Sequence, residues 1–332
     1  MTPRSLCLAA LLASAGALAT LPAAAEEIRI ASGIGILFAP IHVMKEAGLL
    51  EKHAEAAGLD LELETLSFPS GSAVTDALLS GNVDIVTAGL SNALLLWSRS
   101  REDVKSIAAV SGTKSVLVTK DPDVRTLADY KDTNRISVTS LKISNQAIYL
   151  AMALDAEFGD PEKFDPMMVQ LGFTDAVQAM TNPNGPIDSM FAGPPYYQAL
   201  LKQPGMHPVL TTLDVAGPTT NLLAFTTTAY HDAHPREIEV FLAALAEAQE
   251  MINDQPLEAA KLYLESTGEK FTPEELAAMF EEEGNVFQSL PLGVHQTAAF
   301  MAKTGMIHRE PASWREFFFD DIATRTGADL AN

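Results

Sequence analysis

Residues 68–96, FPSGSAVTDALLSGNVDIVTAGLSNALLL, reappear in altered form at 172–201, GFTDAVQAMTNPNGPIDSMFAGPPYYQALL. Asp84 aligns with Asp188, Ala88 with Ala192 and Gly89 with Gly193, all at an offset of 104. Ala73-Val74 aligns with Ala176-Val177 at an offset of 103, so one inserted residue reconciles the copies. Each copy reads as a helix, a tight turn, a strand ending in Ala-Gly, and a new helix. Such an internal repeat predicts two lobes built from related units.

The pattern around the repeat agrees. Short aliphatic runs at 28–32, 61–66, 83–89, 104–110, 115–120, 135–140, 167–173, 186–193, 207–213 and 221–230 alternate with amphipathic stretches at about 40–54, 72–80 and 147–158. This alternation predicts an α/β fold with largely parallel sheets. After Tyr230 the chain turns helical: Ile238, Phe241, Leu242, Leu245 and Ala248 recur at helical spacing. Further on, Thr272 and Glu275 frame a capping box with Pro273 in the first helical position. In open α/β sheets, ligands lie beyond the carboxyl ends of the strands. Two facing lobes therefore imply a cleft lined by helix N-termini, whose unpaired N–H groups suit an anion or a polar acceptor.

Composition narrows the function. With 22 Lys plus Arg against 43 Asp plus Glu, the formal charge is −21 and no basic cluster exists to track phosphates, so nucleic acid is not an expected partner. Residues 1–25 have the three parts of an export signal: Arg4, the apolar run Leu6–Leu21, and Ala23-Ala24-Ala25, with cleavage expected after Ala25. The single cysteine, Cys7, falls inside that segment, so the exported chain has no thiol for a disulfide, a metal site or a nucleophile. No Gly-x-Ser-x-Gly, H-E-x-x-H or phosphate-loop motif occurs. Glu281-Glu282-Glu283 reads as a solvated charge run, and His231-x-x-His234 with Asp232 as a helix entrance. Neither a cofactor nor a metal is expected, and the chain is not expected to be an enzyme.

The opening IRIASGIGILFAPIHVMKEAGLLEKH, the segment FPSGSAVTDALLSGNVDIVTAG, the step VRTLADYKDTNRISVTS and MFAGPPYYQAL carry a family likeness. Over about residues 26–260 the chain resembles the periplasmic solute-binding proteins of ABC importers, of the alkanesulfonate/taurine/nitrate type, whose fold is shared with thiamine-pyrimidine synthase-like proteins. The resemblance implies a two-lobed periplasmic binding protein fold of type II that closes on its ligand like a flytrap. It divides the exported chain into a first lobe (26–116), a second lobe (117–216), and a return crossing with C-terminal helices packing mainly on the first lobe (217–332). It also implies a monomer that delivers a small solute to an inner-membrane permease driven by an ATPase. Alternatives are an exported enzyme on the same scaffold, or a sensor partner that presents ligand to a receptor. The pyrimidine branch carries a cysteine-rich motif that this chain lacks. The apolar loop Ser32–Phe38 suits a ligand with an apolar or aromatic part better than nitrate or bicarbonate, so an alkane- or aryl-sulfonate or related organic anion is expected.

Candidate ligand contacts follow at the expected strand-to-helix loops. In the first lobe they are Ser32, Gly33 and Phe38, then Ser70 and Gly71, then Ser91 and Asn92. Glycine permits close backbone approach, Phe38 either covers a ligand face or joins the core, and the serines either cap helices or donate to the ligand. In the second lobe Lys142, Ser144 and Asn145 precede a helix, with Lys142 directed either at the ligand or at solvent. Tyr196 and Tyr197 belong to Pro194-Pro195-Tyr196-Tyr197, the counterpart of Leu90-Ser91-Asn92. Asn221 lies at the return crossing.

Overall fold

The computed structural model describes residues 26–68, 71–101 and 103–325. The expected export signal with Cys7, and the candidate Ser70, lie outside the described residues. Among the described residues ten strands form: β1 (Glu26–Ala31), β2 (Leu61–Leu66), β3 (Ile85–Gly89), β4 (Val104–Ser111), β5 (Val116–Thr119), β6 (Ile136–Val138), β7 (Met168–Gln170), β8 (Ser189–Ala192), β9 (His207–Thr211) and β10 (Leu222–Thr227). Each lies within or overlaps one of the aliphatic runs. The helices are α1 (Ala39–Glu46), α2 (Leu49–Ala57), α3 (Gly71–Leu79), α4 (Leu90–Arg99), α5 (Asn145–Phe158), α6 (Phe173–Thr181), α7 (Tyr196–Leu201) and α8 (Thr212–Ala216). Beyond β10 come α9 (Thr228–Ala233), α10 (Pro235–Asp254), α11 (Pro256–Thr267), α12 (Pro273–Phe280), α13 (Val294–Lys303) and α14 (Asp320–Arg325).

The strands make two five-stranded sheets, ordered β2-β1-β3-β10-β4 and β7-β6-β8-β5-β9. In the first, β1 is parallel to β2 and β3, and β10 runs antiparallel to β3 and β4. The second repeats this, with β6 parallel to β7 and β8, and β5 antiparallel to β8 and β9. Each sheet is thus mostly parallel with one reversed strand in the same place. The chain enters each sheet from the other through that reversed strand.

The repeated aspartate has a structural task. Asp84 N–H donates to the Arg29 carbonyl at 2.8 Å, and its carboxylate accepts from the Arg29 backbone N–H at 2.8 Å and from the guanidinium at 2.6 and 3.0 Å. Asp188 N–H donates to the Arg135 carbonyl at 2.9 Å, and its carboxylate accepts from Arg135 N–H at 2.9 Å. In both lobes the aspartate pins the third strand's entrance to the first strand and satisfies a backbone donor there.

Three expected elements differ in extent. The helix read over 40–54 breaks into α1 and α2 at Gly48, whose φ of +60° costs a glycine little. The strand read to 213 stops at Thr211, where Thr211 and Asp214 form a capping box that opens α8. The strand read to 230 stops at Thr227, whose hydroxyl accepts from Tyr230 N–H and starts α9.

Helix α10 packs on α1, α2 and β4, burying Ile238, Phe241, Leu245, Ala248 and Ile252. Its Gln249 amide donates to the carbonyls of Ala109 and Val110 at 3.1 and 2.8 Å, tying the helix to β4. The capping box at Thr272–Glu275 forms as read, with Pro273 in the first turn. Among the described residues no helix is long and apolar enough to cross a membrane.

Candidate functional site

Residues 32–38 leave the carboxyl end of β1 and arch over the space between the sheets. Three side chains hold this loop by its backbone. His42 Nε2 donates to the Gly33 carbonyl at 2.9 Å, Gly35 N–H donates to the Tyr263 hydroxyl at 3.0 Å, and the Ser111 hydroxyl donates to the Leu37 carbonyl. The Tyr263 hydroxyl in turn donates to the Glu269 carboxylate at 2.7 Å. A Cβ at Gly33 would stand 2.7 Å from the Phe38 ring, so a larger residue there would displace that ring.

The His42 tautomer follows from its partners. A carbonyl only accepts, so Nε2 carries the proton and Nδ1 accepts from the Ser266 hydroxyl at 2.9 Å. Burial is the main cause lowering its pKa below 6.5, so the folded chain favours the neutral ring. The unfolded chain binds this proton more readily. Stability from His42 is therefore full above about pH 6.5 and is lost as pH falls below it toward the lowered folded value. Melting temperatures measured between pH 8 and 5 are expected to fall less in His42→Gln than in the parent. Parallel curves would remove His42 from this role.

A cavity of about 50 Å³ lies under the loop, lined from the first lobe by Ile34, Gly35, Leu37 and Phe38 and from the second by Asn145, Gln146, Phe173, Gly193, Pro194 and Tyr196. Thr113, Ser115 and Asn221 complete it from the two crossings. Phe173 and Tyr196 stack at 4.8 Å with planes 21° apart. Among the described residues the lining combines aromatic faces with hydroxyls and amides and includes no Lys, Arg, His, Asp or Glu. It offers stacking and hydrogen bonds. Larger hollows, of about 680 and 530 Å³, flank the Asp155–Lys303 ion pair between α5 and α13. They run along α5 on the side of α13, whereas the smaller cavity is lined by strand-to-helix loops of both lobes, which makes it the better candidate.

Asn145, the first residue of α5, bridges the lobes beside the cavity. Its Oδ1 accepts from Ser91 N–H at 3.2 Å and from the Ser91 hydroxyl at 2.9 Å, while its Nδ2 donates to the Asn221 carbonyl at 2.6 Å. That carbonyl also accepts from Leu90 N–H at 3.1 Å. The first N–H groups of α4 are thus met by the chain's own oxygens.

Of the expected contacts, Phe38, Asn145, Tyr196 and Asn221 line the cavity, Ser91 reaches it through Asn145, and Ser32 and Gly33 lie in the loop above it. Gly71 opens α3. Other expected contacts are placed differently. Lys142 is exposed and ion-paired with Asp165 at 2.7 Å and Glu162 at 3.0 Å, and these carboxylates push its ammonium up to about 12. Asn92 borders a separate hollow of about 230 Å³ between α3 and α4. Ser144 caps α5: its oxygen accepts from Ala147 N–H at 3.3 Å and its proton goes to the Ser140 carbonyl at 2.8 Å. Tyr197 is buried away from the cavity and donates to Glu282, which also accepts from Gln198 at 2.8 Å and Lys114 at 2.9 Å. Glu282 is therefore engaged across the molecule, where the charge run suggested a solvated face. The Asn221 side chain spends both amide ends on Thr113, accepting from its N–H at 3.0 Å and donating to its carbonyl at 3.1 Å. It braces the crossing.

Thr113, Ser115, Gln146 and Phe173 were absent from the sequence candidates. The repeat held a signal for one: the offset of 103 that carries Ala73 to Ala176 carries Ser70 to Phe173. Thr113 and Ser115 belong to the crossing, which carries no motif.

Two lobes of matching sheet order, each entered through a reversed strand, with a cavity at their strand ends, define the periplasmic binding protein fold. The chain belongs to the NMT1-like family, whose model matches residues 23–264. No curated protein sequence matches it. Among solved structures it is similar to the periplasmic aliphatic sulphonate binding protein SsuA from Escherichia coli, with 19% identity, a TM-score of 0.67 and coverage of 90% of this chain and 99% of that one. The alkanesulfonate-binding protein SsuA from Xanthomonas axonopodis pv. citri, bound to MOPS, gives 19% identity and a TM-score of 0.68, covering 87% and 96%. The periplasmic nitrate-binding protein NrtA from Synechocystis PCC 6803 gives 16% identity and a TM-score of 0.72, covering 92% and 89%.

Proposed function

We propose that the chain is the exported solute-binding component of an ABC importer. It captures a small organic solute between its lobes and delivers it to an inner-membrane permease and its ATPase. The cavity shared by both lobes at the strand ends is the observation that carries this reading. Cleavage after Ala25 would release a periplasmic protein.

The lining supports a solute with an apolar or aromatic body and an oxygen-rich polar group. Phe38 on one lobe and Tyr196 with Phe173 on the other offer ring faces for the body. The Thr113 and Ser115 hydroxyls and the Gln146 amide offer polar contacts, and the N-terminus of α5 adds partial positive charge. Alkanesulfonates, the compounds named for the SsuA neighbours, pair an apolar body with an oxygen-rich group, and arylsulfonates would add a ring for stacking. The cavity of about 50 Å³ is enclosed from both lobes, so parting of the lobes is the expected route by which a solute enters.

A thermal-shift screen of aryl- and alkanesulfonates, aromatic carboxylates, neutral heterocycles and nitrate tests the reading. One organic class is expected to raise the melting temperature and be recovered unchanged. Phe38→Ala and Tyr196→Ala are each expected to weaken its binding about 10-fold, or ~1.4 kcal/mol. Full affinity in both variants would remove the cavity from solute binding.

A further inference from the structure

At the amino end of β1, far from the cavity, three side chains from two elements converge. Glu26 opens β1, with its backbone N–H held by the Asp60 carbonyl at 2.9 Å. His234 immediately precedes α10, and Glu237 lies in that helix's first turn. The His234 Nδ1 atom is 3.7 Å from Glu26 Oε1 and 3.6 Å from Glu237 Oε1. One ligand atom from each of the three lies within 4.8 Å of the others. The imidazole stacks on Tyr230 at 4.5 Å with planes 19° apart, which holds the plane of the ring.

We infer that Glu26, His234 and Glu237 form a binding site for a divalent transition-metal cation. The separations are longer than hydrogen bonds. They approach the edge of a zinc tetrahedron, in which donors about 2.0–2.2 Å from the metal stand roughly 3.3–3.5 Å apart. Two carboxylates placed beside one nitrogen repel each other, and a cation between them reverses the sign of that interaction. One imidazole with two carboxylates suits zinc among the borderline metals, with water as the remaining ligand. The cation would tie the first strand of the first sheet to the N-terminus of α10. By strand rise, about 3.3 Å per residue, the six residues of β1 put it roughly 20 Å from the cavity loop. Metal and solute therefore bind without competing.

The test is a calorimetric titration of Zn²⁺ into the untagged, chelator-treated chain. One saturable equivalent is expected, weakened at least tenfold in His234→Ala and in Glu237→Gln. His231→Ala is expected to keep parental affinity, because His231 faces Asp232, Asp321 and Phe319 instead. Co²⁺ in place of zinc is expected to give the intense visible absorption of a four-coordinate centre, lost in His234→Ala. Absence of saturable zinc binding by the parent chain, or equal loss in the His231 and His234 variants, would overturn the site. Cavity variants such as Tyr196→Ala are expected to bind zinc normally, so failure of the solute reading leaves this result unaffected.

Discussion

Gly112→Ala is expected to destabilise the chain by about 3 kcal/mol, through overpacking against backbone. Gly112 follows β4 on the first crossing, where it exchanges hydrogen bonds with Val286 at 2.7 and 2.8 Å. A Cβ on it would stand 2.0 Å from the Thr219 carbonyl oxygen and 2.9 Å from a Val286 methyl. Thr219 belongs to the return crossing, so the two connections touch at a point that has room only for hydrogen. Relief requires a backbone shift, which Asn221 opposes by holding Thr113 through both ends of its amide. Chemical denaturation of Gly112→Ala beside Gly172→Ala tests this, because a Cβ at Gly172 meets nothing within 4 Å. Equal stability in the two variants would mean that the crossings yield without cost.

Asn145→Ala is expected to loosen the contact between the lobes and to lower stability by roughly 1–3 kcal/mol, chiefly because Ser91 N–H loses its acceptor while the Asn221 carbonyl keeps Leu90 N–H. The side chain makes three interlobe hydrogen bonds, and it rests against Gly89, where an added Cβ would stand 3.1 Å from Oδ1. Removing it leaves Ser91 N–H and the Ser91 hydroxyl without that acceptor, although the hydroxyl keeps the Ile143 carbonyl at 2.7 Å. Small-angle scattering should show a larger radius of gyration, and the melting temperature should fall. Asn145→Asp keeps the acceptor and loses the donor to Asn221, so an intermediate result is expected. A parental radius and melting temperature in Asn145→Ala would show that other contacts, such as Glu282 with Tyr197, hold the lobes together.

The site was only partly legible in the sequence, for a reason visible in particular residues. Strand-to-helix loops could be located from local pattern, and Phe38, Asn145 and Tyr196 were found that way. The direction of a side chain within such a loop depends on partners far along the chain. Lys142 turns to Asp165 and Glu162, leaving neighbouring Asn145 and Gln146 to face the cavity. Tyr197 turns to Glu282, 85 positions away, while adjacent Tyr196 lines the cavity. Thr113 and Ser115 face the cavity because of where the crossing runs, and nothing in Gly-Thr-Lys-Ser signals it.

Hydrophobic alternation and the repeat by themselves determined the ten strands, the two related lobes and the equivalence of Asp84 with Asp188, because these are set by short-range period and by a recurring unit. Tertiary structure alone decided which polar groups are consumed as braces and how small the cavity is. Each of these is settled by hydrogen bonds or contacts between segments distant in the chain, at separations that local sequence pattern does not encode.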